Sequence, residues 1–508
     1  MTMTVDPRTP CLVGTARRTW RAAETTPEPL DMWVDLARVA LADAADASAS
    51  VRAGAGMAAV DELGLVHCQS WAYDRPVERL ADRLGLDRIH LQESILAGTS
   101  PQRLLNGAAA RMMRGETSVA LVVGGEALAS RKAYDRAGEV PPWSHPHPSP
   151  PLFPVDLEQW YLPTEMAHGV LPAWLTFALL DQARWAERGA RPIDRARTAE
   201  VLDQLNAVAA GNPDAWFTDR RTGRELTSVA VDNRMIATPY TKRMTSFLDV
   251  DMAAANLMVT HQVADEWGVA PERRVYLRGW GFARDAVHLG ARRELGRSPS
   301  LRQATGDALR MAGLGVDGID VFDLYSCFPS AVAFATDALG VAPDDPRPLT
   351  VTGGLAYHGG PSSNYVSHSI SHLVDRFRAN GGGTGLVTGV GMHMTKHVAA
   401  VWSTEPGPLG SPGDPGPQQW SEPGDRPSTD DRPVLDRLAG PVTVLAASVV
   451  YDPAGAEPWA IAICEDDRGA RGYARSDDPG VVAVVAEDAW VGASAAAEPR
   501  GDVNDLKL

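Results

Sequence analysis

Three stretches of this 508-residue chain hold side chains able to move protons or attack a carbonyl. GGLAYHGGPSSNY, Gly353 to Tyr365, crowds glycine and proline around Tyr357 and His358 and runs straight into a helical pattern. LYSCF places Tyr325 and Cys327 at the end of an apolar run, and GMHMTKHV gathers His393, Lys396 and His397 after another. A histidine or tyrosine in such a turn can serve as acid or base, and a cysteine can attack once its thiolate is favoured. Tyr325, His358 and Cys327 are therefore the candidate catalytic side chains. Each has a plainer alternative, as a hydrogen-bonded turn residue or a thiol filling the core. The GMHMTKHV cluster has two readings, a grip on a phosphate or a solvated loop.

Other spacings point away from metals and nucleotides. His145 and His147 in SHPHPSP are held extended by alternating prolines, with no Cys, Asp or Glu at ligand spacing, so no metal is expected there. His368 and His372 stand four apart on a helix but lack the glutamate of an HExxH motif. GAGMAA, Gly54 to Ala59, connects helix to strand, the wrong order for a dinucleotide fingerprint, and no GxSxG elbow or Walker loop occurs. Cys11, Cys68, Cys327 and Cys464 are far apart and form no CxxC, which fits reduced thiols in a cytoplasmic protein. A net charge of -16 without a basic stripe argues against nucleic acid. The N-terminal MTMTVDPRTP has neither the basic nor the apolar region of a secretion signal, and no apolar run matches a bilayer, so membrane insertion is not expected.

The elements that must position these residues alternate strand and helix. CLVGTARR reads as a strand, LDMWVDLARVALADAADA as a helix, VDELGLVHC as a second strand and RPVERLADRLGL as a second helix, the rhythm of a parallel sheet with crossovers. In SPQRLLNGAAARMMRGE, Ser100 is the expected N-cap and Pro101 the first helical residue. SVALVVGGEA follows as a buried strand. Further helices are expected in LPAWLTFALLDQARWAERG, ARTAEVLDQLNAVAAGN and LRQATGDALRMAGL. The plan recurs later: GGPSSNYVSHSISHLVDRFRANGG opens a helix and GTGLVTGVGM is a strand ending in glycines, as AGTSPQRLLNGAAARMMRGE is followed by SVALVVGGEA. Two such halves imply a duplicated α/β unit.

The domain plan follows from composition. Residues 1–260 form the first half, interrupted at 134–169 by a proline-rich loop too long for a plain connection and expected to cover a site. Residues 261–405 form the second half. Residues 406–437, rich in Pro, Gly and charge, read as a linker. In 438–508 the segments PVTVLAASVVY, PWAIAICED, GYARS and VVAVVAED read as strands of a small barrel of about five, OB-like in size.

The duplicated unit, the turn GGLAYHGGP, the strand GLVTGVGM and the segment VALVVGGEA together resemble the thiolase superfamily over roughly residues 8 to 405. Within it the chain is most similar to the sterol-carrier-protein-2 thiolase branch, and to its thiolase-like proteins of type 1, which carry an additional C-terminal domain. The resemblance implies duplicated βαβαβ halves in a layered α/β/α arrangement plus a C-terminal OB-like domain. It also implies an acetyl-CoA acetyltransferase-like acyltransferase of lipid metabolism, with a coenzyme A thioester as substrate or ligand, no covalently bound cofactor, and a dimer or a monomer as the assembly.

Thiolases need a nucleophilic cysteine at a helix N-terminus, a histidine in a GHP turn and a second cysteine in a CxG turn. Carried over residue by residue, these positions fall on Gly98, on Gly360, and on Val387 or Thr388. All three side chains are missing. What the resemblance leaves is a cradle of Gly98, Thr99, Ser100, Gly360, Gly389 and His397 for the thioester, its donors largely main-chain N–H groups that need no particular residue. The sterol side-chain aldol lyases of the same superfamily also lack the cysteine and work with an OB-fold partner. Tyr325 falls on one of their catalytic tyrosines, while the other falls on Gly360, with Tyr357 and His358 in the same turn. Three functions therefore stand side by side: an acyl-CoA enzyme of non-standard mechanism, a retro-aldol lyase on a β-hydroxyacyl-CoA, and a non-catalytic acyl-CoA-binding scaffold.

Overall fold

The computed structural model describes residues 5–21, 26–46, 53–150, 157–189, 195–407, 432–487 and 490–507. Most of the expected linker, 408–431, and residues 151–156 of the proline-rich loop lie outside these. The strands, in chain order, are β1 (Pro10–Thr19), β2 (Glu62–Leu65), β3 (His90–Glu93), β4 (Val119–Ala127), β5 (Met235–Ala237), β6 (Tyr240–Thr241), β7 (Asp251–Thr260) and β8 (Val275–Arg284). They continue as β9 (Val321–Asp323), β10 (Thr384–Gly391), β11 (Lys396–Ser403), β12 (Gly440–Val450), β13 (Trp459–Glu465), β14 (Arg471–Ser476), β15 (Ser494–Arg500) and β16 (Val503–Lys507).

Nine of them form one mixed sheet in the order β3-β2-β4-β7-β1-β8-β11-β10-β9. Its two ends mirror each other. The pair β2 and β4 is parallel, then β4–β7 and β7–β1 are antiparallel; likewise β9 and β10 are parallel, then β10–β11 and β11–β8 antiparallel. The halves join where Cys11 and Leu12 of β1 face Tyr276 and Val275 of β8. This is the expected duplication. The helices Ser100–Arg114 and Tyr365–Asn380 pack on each other and on strands of both halves. Their apolar faces are accordingly closed all round: Leu104, Leu105, Ala108, Tyr365, Val366 and Ile370 are all at most 1% exposed.

Two of the long strands in the nine-stranded sheet escape the sequence pattern. DMAAANLMVT in β7 and KHVAAVWS in β11 are buried at every position. A strand covered on both faces shows no alternation, and alanine runs carry no β signature. Lys396 and His397, expected in a loop, are thus the first residues of β11.

The C-terminal unit is a closed five-stranded barrel in which β12, β13, β14, β16 and β15 succeed one another back to β12, with β14–β16 the parallel pair. VVAVVAED is not one of its strands. Pro479–Glu487 is a helix, because Asp478 accepts the N–H groups of Gly480 and Val481 through its side chain and Pro479 suits a first turn, start signals that override the valines' strand preference. The hairpin β5–β6 of the body extends the barrel's sheet by pairing Ala237 with Val450.

Candidate active site

At the start of the Ser100–Arg114 helix the chain turns through Gly98, from which no side chain projects. A β-carbon on Gly98 would collide with the hydroxyl of Tyr325 and the carbonyl oxygen of Val390. Tyr325 therefore occupies the space a residue-98 side chain would need. Glycine is required a second time at Gly389, whose added β-carbon would lie 2.8 Å from the carbonyl oxygen of Gly98 and 3.3 Å from the α-carbon of Thr99. Gly98, Thr99, Tyr325 and Gly389 are in this way brought together from three separate elements.

Tyr325 is 6% exposed, and its ring meets that of Tyr365 edge-on with centroids 5.5 Å apart. Its backbone N–H donates to Thr388 Oγ1 at 2.8 Å. Thr388, one of the two residues in place of the second cysteine, thus serves to anchor Tyr325. Burial pushes the Tyr325 hydroxyl far above the usual phenol range, and the neighbouring Cys327 adds to it. A phenol so placed stays neutral and donates. Thr99 Oγ1, fully buried, has no hydrogen-bond partner among the described residues. Ser100 is not the N-cap expected: Thr99 holds that position without a side-chain bond, and the Ser100 hydroxyl turns back to the carbonyl of Ile95 at 2.7 Å.

His358 faces elsewhere. It lies 5.4 Å from His368 and 5.2 Å from His372, centroid to centroid, and Tyr365 stands between it and Tyr325, 6.1 Å from the His358 ring. Asn212 Nδ2 reaches His358 Nδ1 at 3.4 Å and His372 Nε2 at 3.3 Å, and the Tyr357 and His358 carbonyls accept from Phe217 and Trp216. Burial, assisted by the charge of Arg17, lowers His358 to about 3, and His368 and His372 also fall well below the usual imidazole range. All three rings are therefore neutral at pH 7. His368 and His372 stand four apart on one helix face with the loop histidine folded over both; Asn212, 146 positions from His358, has no sequence signal that would add it to them.

Three other nominated residues lie apart from this assembly. Gly360 donates its N–H to the carbonyl of Phe247 at 2.8 Å, so that donor is already engaged. His397, at 0% exposure, is tied to Asp285 Oδ2 and the Met394 carbonyl at 3.0 Å and to Ser298 at 3.1 Å, which makes it a bracket between β8, β11 and the helix Pro299–Ala312. Cys327 is 8% exposed, and burial pushes its thiol up, only partly offset by the N–H of Phe328, so it is no thiolate. The proline-rich loop docks at Trp71 to Asp74: Trp143 meets Trp71 edge-on, and His147 N–H donates to the Ala72 carbonyl at 2.8 Å. Past it, Trp160 lies under Lys396 Nζ at 4.4 Å, and Tyr161 bonds His393 at 2.5 Å. Among the described residues no group of three or more His, Cys, Asp or Glu is placed to hold a metal ion, and no helix is long and apolar enough to cross a membrane.

Neither protein-family models nor curated protein sequences match the chain. Solved structures do. The monomeric SCP2-thiolase-like protein type 1 (STLP1) from Mycobacterium smegmatis superposes with a TM-score of 0.82 and 28% identity, over 99% of this chain and 100% of the other. The chain belongs to the thiolase superfamily, in its SCP2-thiolase branch. Human mitochondrial 3-ketoacyl-CoA thiolase (TM-score 0.56, 15% identity) and the Ltp2-ChsH2(DUF35) aldolase (0.59, 15%) share the fold, the first over 78% and the second over 79% of this chain and each over 99% of its own. In this thiolase-fold chain the turn before the Ser100–Arg114 helix carries glycine, with a tyrosine in the space above it.

Proposed function

We propose that this chain binds an acyl-CoA thioester at the Gly98 elbow and does not form an acyl-cysteine. The reading rests on one observation: Tyr325 and Val390 fill the space above Gly98. A covalent relay through residue 98 is sterically closed, while the neutral Tyr325 hydroxyl and the unpartnered Thr99 hydroxyl are two donors beside it, the arrangement that polarises a carbonyl. The likeness to STLP1 supports a monomer. Titration calorimetry with acetyl-CoA and longer acyl-CoA thioesters should give saturable heat, and hydrogen exchange should slow at Gly98 to Gln102, while added CoA releases no acetyl-CoA from a 3-ketoacyl-CoA. Absence of both heat and protection ends the proposal.

Retro-aldol cleavage of a β-hydroxyacyl-CoA is the second reading, favoured by the same tyrosine, since a neutral phenol can donate to a developing enolate. Its base is less well provided, because Tyr365 separates His358 from Tyr325. Tyr325→Phe should abolish aldehyde or ketone release; undiminished release removes Tyr325 from the mechanism.

A further inference from the structure

The helices Ala173–Glu187, Pro299–Ala312 and Pro329–Leu339 leave two adjoining cavities of about 590 and about 330 Å³ that share Arg184, Arg188 and Asp337. They have no lining residue in common with the Gly98 elbow. The smaller has an apolar wall of Trp185, Val201, Pro329, Val332, Val341 and Pro343, with Asp181, Arg197 and the shared charged groups around the rest of it. Arginines converge on the larger one: Arg297 and Arg302 join the shared pair.

The charges at the junction do not balance. Arg184 donates from Nε and Nη2 to Asp337 at 2.7 and 3.1 Å, and Arg188 pairs with the same carboxylate. One carboxylate thus answers two guanidiniums. Of the other arginines lining the cavities, Arg297 pairs with Glu187 and Arg197 with Glu200, so it is at the junction that two guanidiniums share one carboxylate. Guanidinium forks match carboxylates in plane and spacing, and an apolar chamber of this size suits a short hydrocarbon.

We propose that the paired cavities are a binding site for an amphipathic monocarboxylate, its hydrocarbon in the Trp185–Val201 chamber and its carboxylate at Arg184 and Arg188. The site stands whether or not a thioester binds at Gly98. Asp181, 3% exposed on the chamber floor, accepts from Tyr240 Oη and Trp185 Nε1, both at 3.0 Å. Burial raises it to about 6 despite the opposing charge of Arg184, with Asp337 also pushing it up. Arg188 and Arg197 face the same chamber.

Octanoate, 1-octanol and octylamine are the probes, titrated by calorimetry into the full chain. Octanoate, fully ionised at about pH 7, binds one to one at that pH, about tenfold more tightly than either of the others. Arg188→Ala, at a half-exposed side chain, weakens octanoate about tenfold and leaves octanol unchanged; Ala333→Trp, which fills the chamber, removes binding while the far-ultraviolet circular dichroism stays that of the parent. The proposal falls if octanoate shows no saturable binding near pH 7, if octanol binds as well as octanoate, or if Arg188→Ala changes nothing.

Discussion

The phenol of Tyr473, on barrel strand β14, donates to Glu165 Oε1 of the body across 2.6 Å, and its oxygen accepts the N–H of Gly290 at 2.8 Å. Beside it Asn504 N–H donates to His168 Nε2 at 2.9 Å, so the seam is polar as well as buried. Removing one partner leaves a buried carboxylate short of a donor. Tyr473→Phe should therefore cost about 1–3 kcal/mol in urea unfolding, with the barrel and body signals moving apart.

The same seam predicts an acid limb. Burial pushes the Glu165 carboxyl up, but bonds from His288, Tyr473 and the Leu162 N–H outweigh it and leave it below the usual range. A carboxyl depressed on folding contributes stability that is complete above its unfolded value, about 4.3, and is lost as pH falls through the folded one. Glu165→Gln should flatten that limb in denaturation measured from about pH 5 downward; an unchanged slope contradicts it.

The histidine cluster acts at a higher pH. His358, His368 and His372 are held neutral when folded but take up protons near 6.5 once unfolded, so the unfolded state binds more protons and stability drops as pH falls below about 6.5. His372→Gln, at the most exposed of the three rings, should shrink the loss between about pH 7 and about pH 5, read from urea midpoints.

Restoring a thiol at the elbow should not restore a thiolase. Gly98→Cys forces the β-carbon onto Tyr325 and Val390, an overpacking worth about 1–3 kcal/mol, so the variant melts lower and stays inactive in thiolysis. Adding Tyr325→Ala should recover part of the melting temperature. A stable, unrelaxed Gly98→Cys single variant would contradict the crowding.

Thr388→Val leaves the buried N–H of Tyr325 without its acceptor, at a cost of about 1–3 kcal/mol. Hydrogen exchange at Tyr325 should quicken while distant strands are unaffected.

The duplicated body was legible because its turns repeat: two Gly/Ser/Pro openings, two helices, two strands ending in glycine. Gly98 follows from the residue-by-residue resemblance to thiolases, but what fills the space above it does not, since the distance from Gly98 to Tyr325 is set by how the halves face each other. The alanine-rich strands β7 and β11, buried at every position, carry neither a period nor a β-branched run for a reader to find. His397 is expected in a loop after a strand, free to meet a ligand; its side chain is instead consumed by Asp285 and Ser298, pairings across 112 and 99 positions. Arg184 and Asp337 likewise meet across 153 positions, and neither helix alone announces the cavity they divide.

The short hairpin β5–β6 has a consequence for biosynthesis. Its outer edge is completed by β12, with Ser448 bonding the carbonyl of Thr238 across 210 positions of chain. While the ribosome is still making the intervening residues, that edge has main-chain groups without their mate, and the thiolase-like part emerges before the strand that finishes it. A nascent chain stalled ahead of Gly440 would thus be the species most in need of a chaperone's cover.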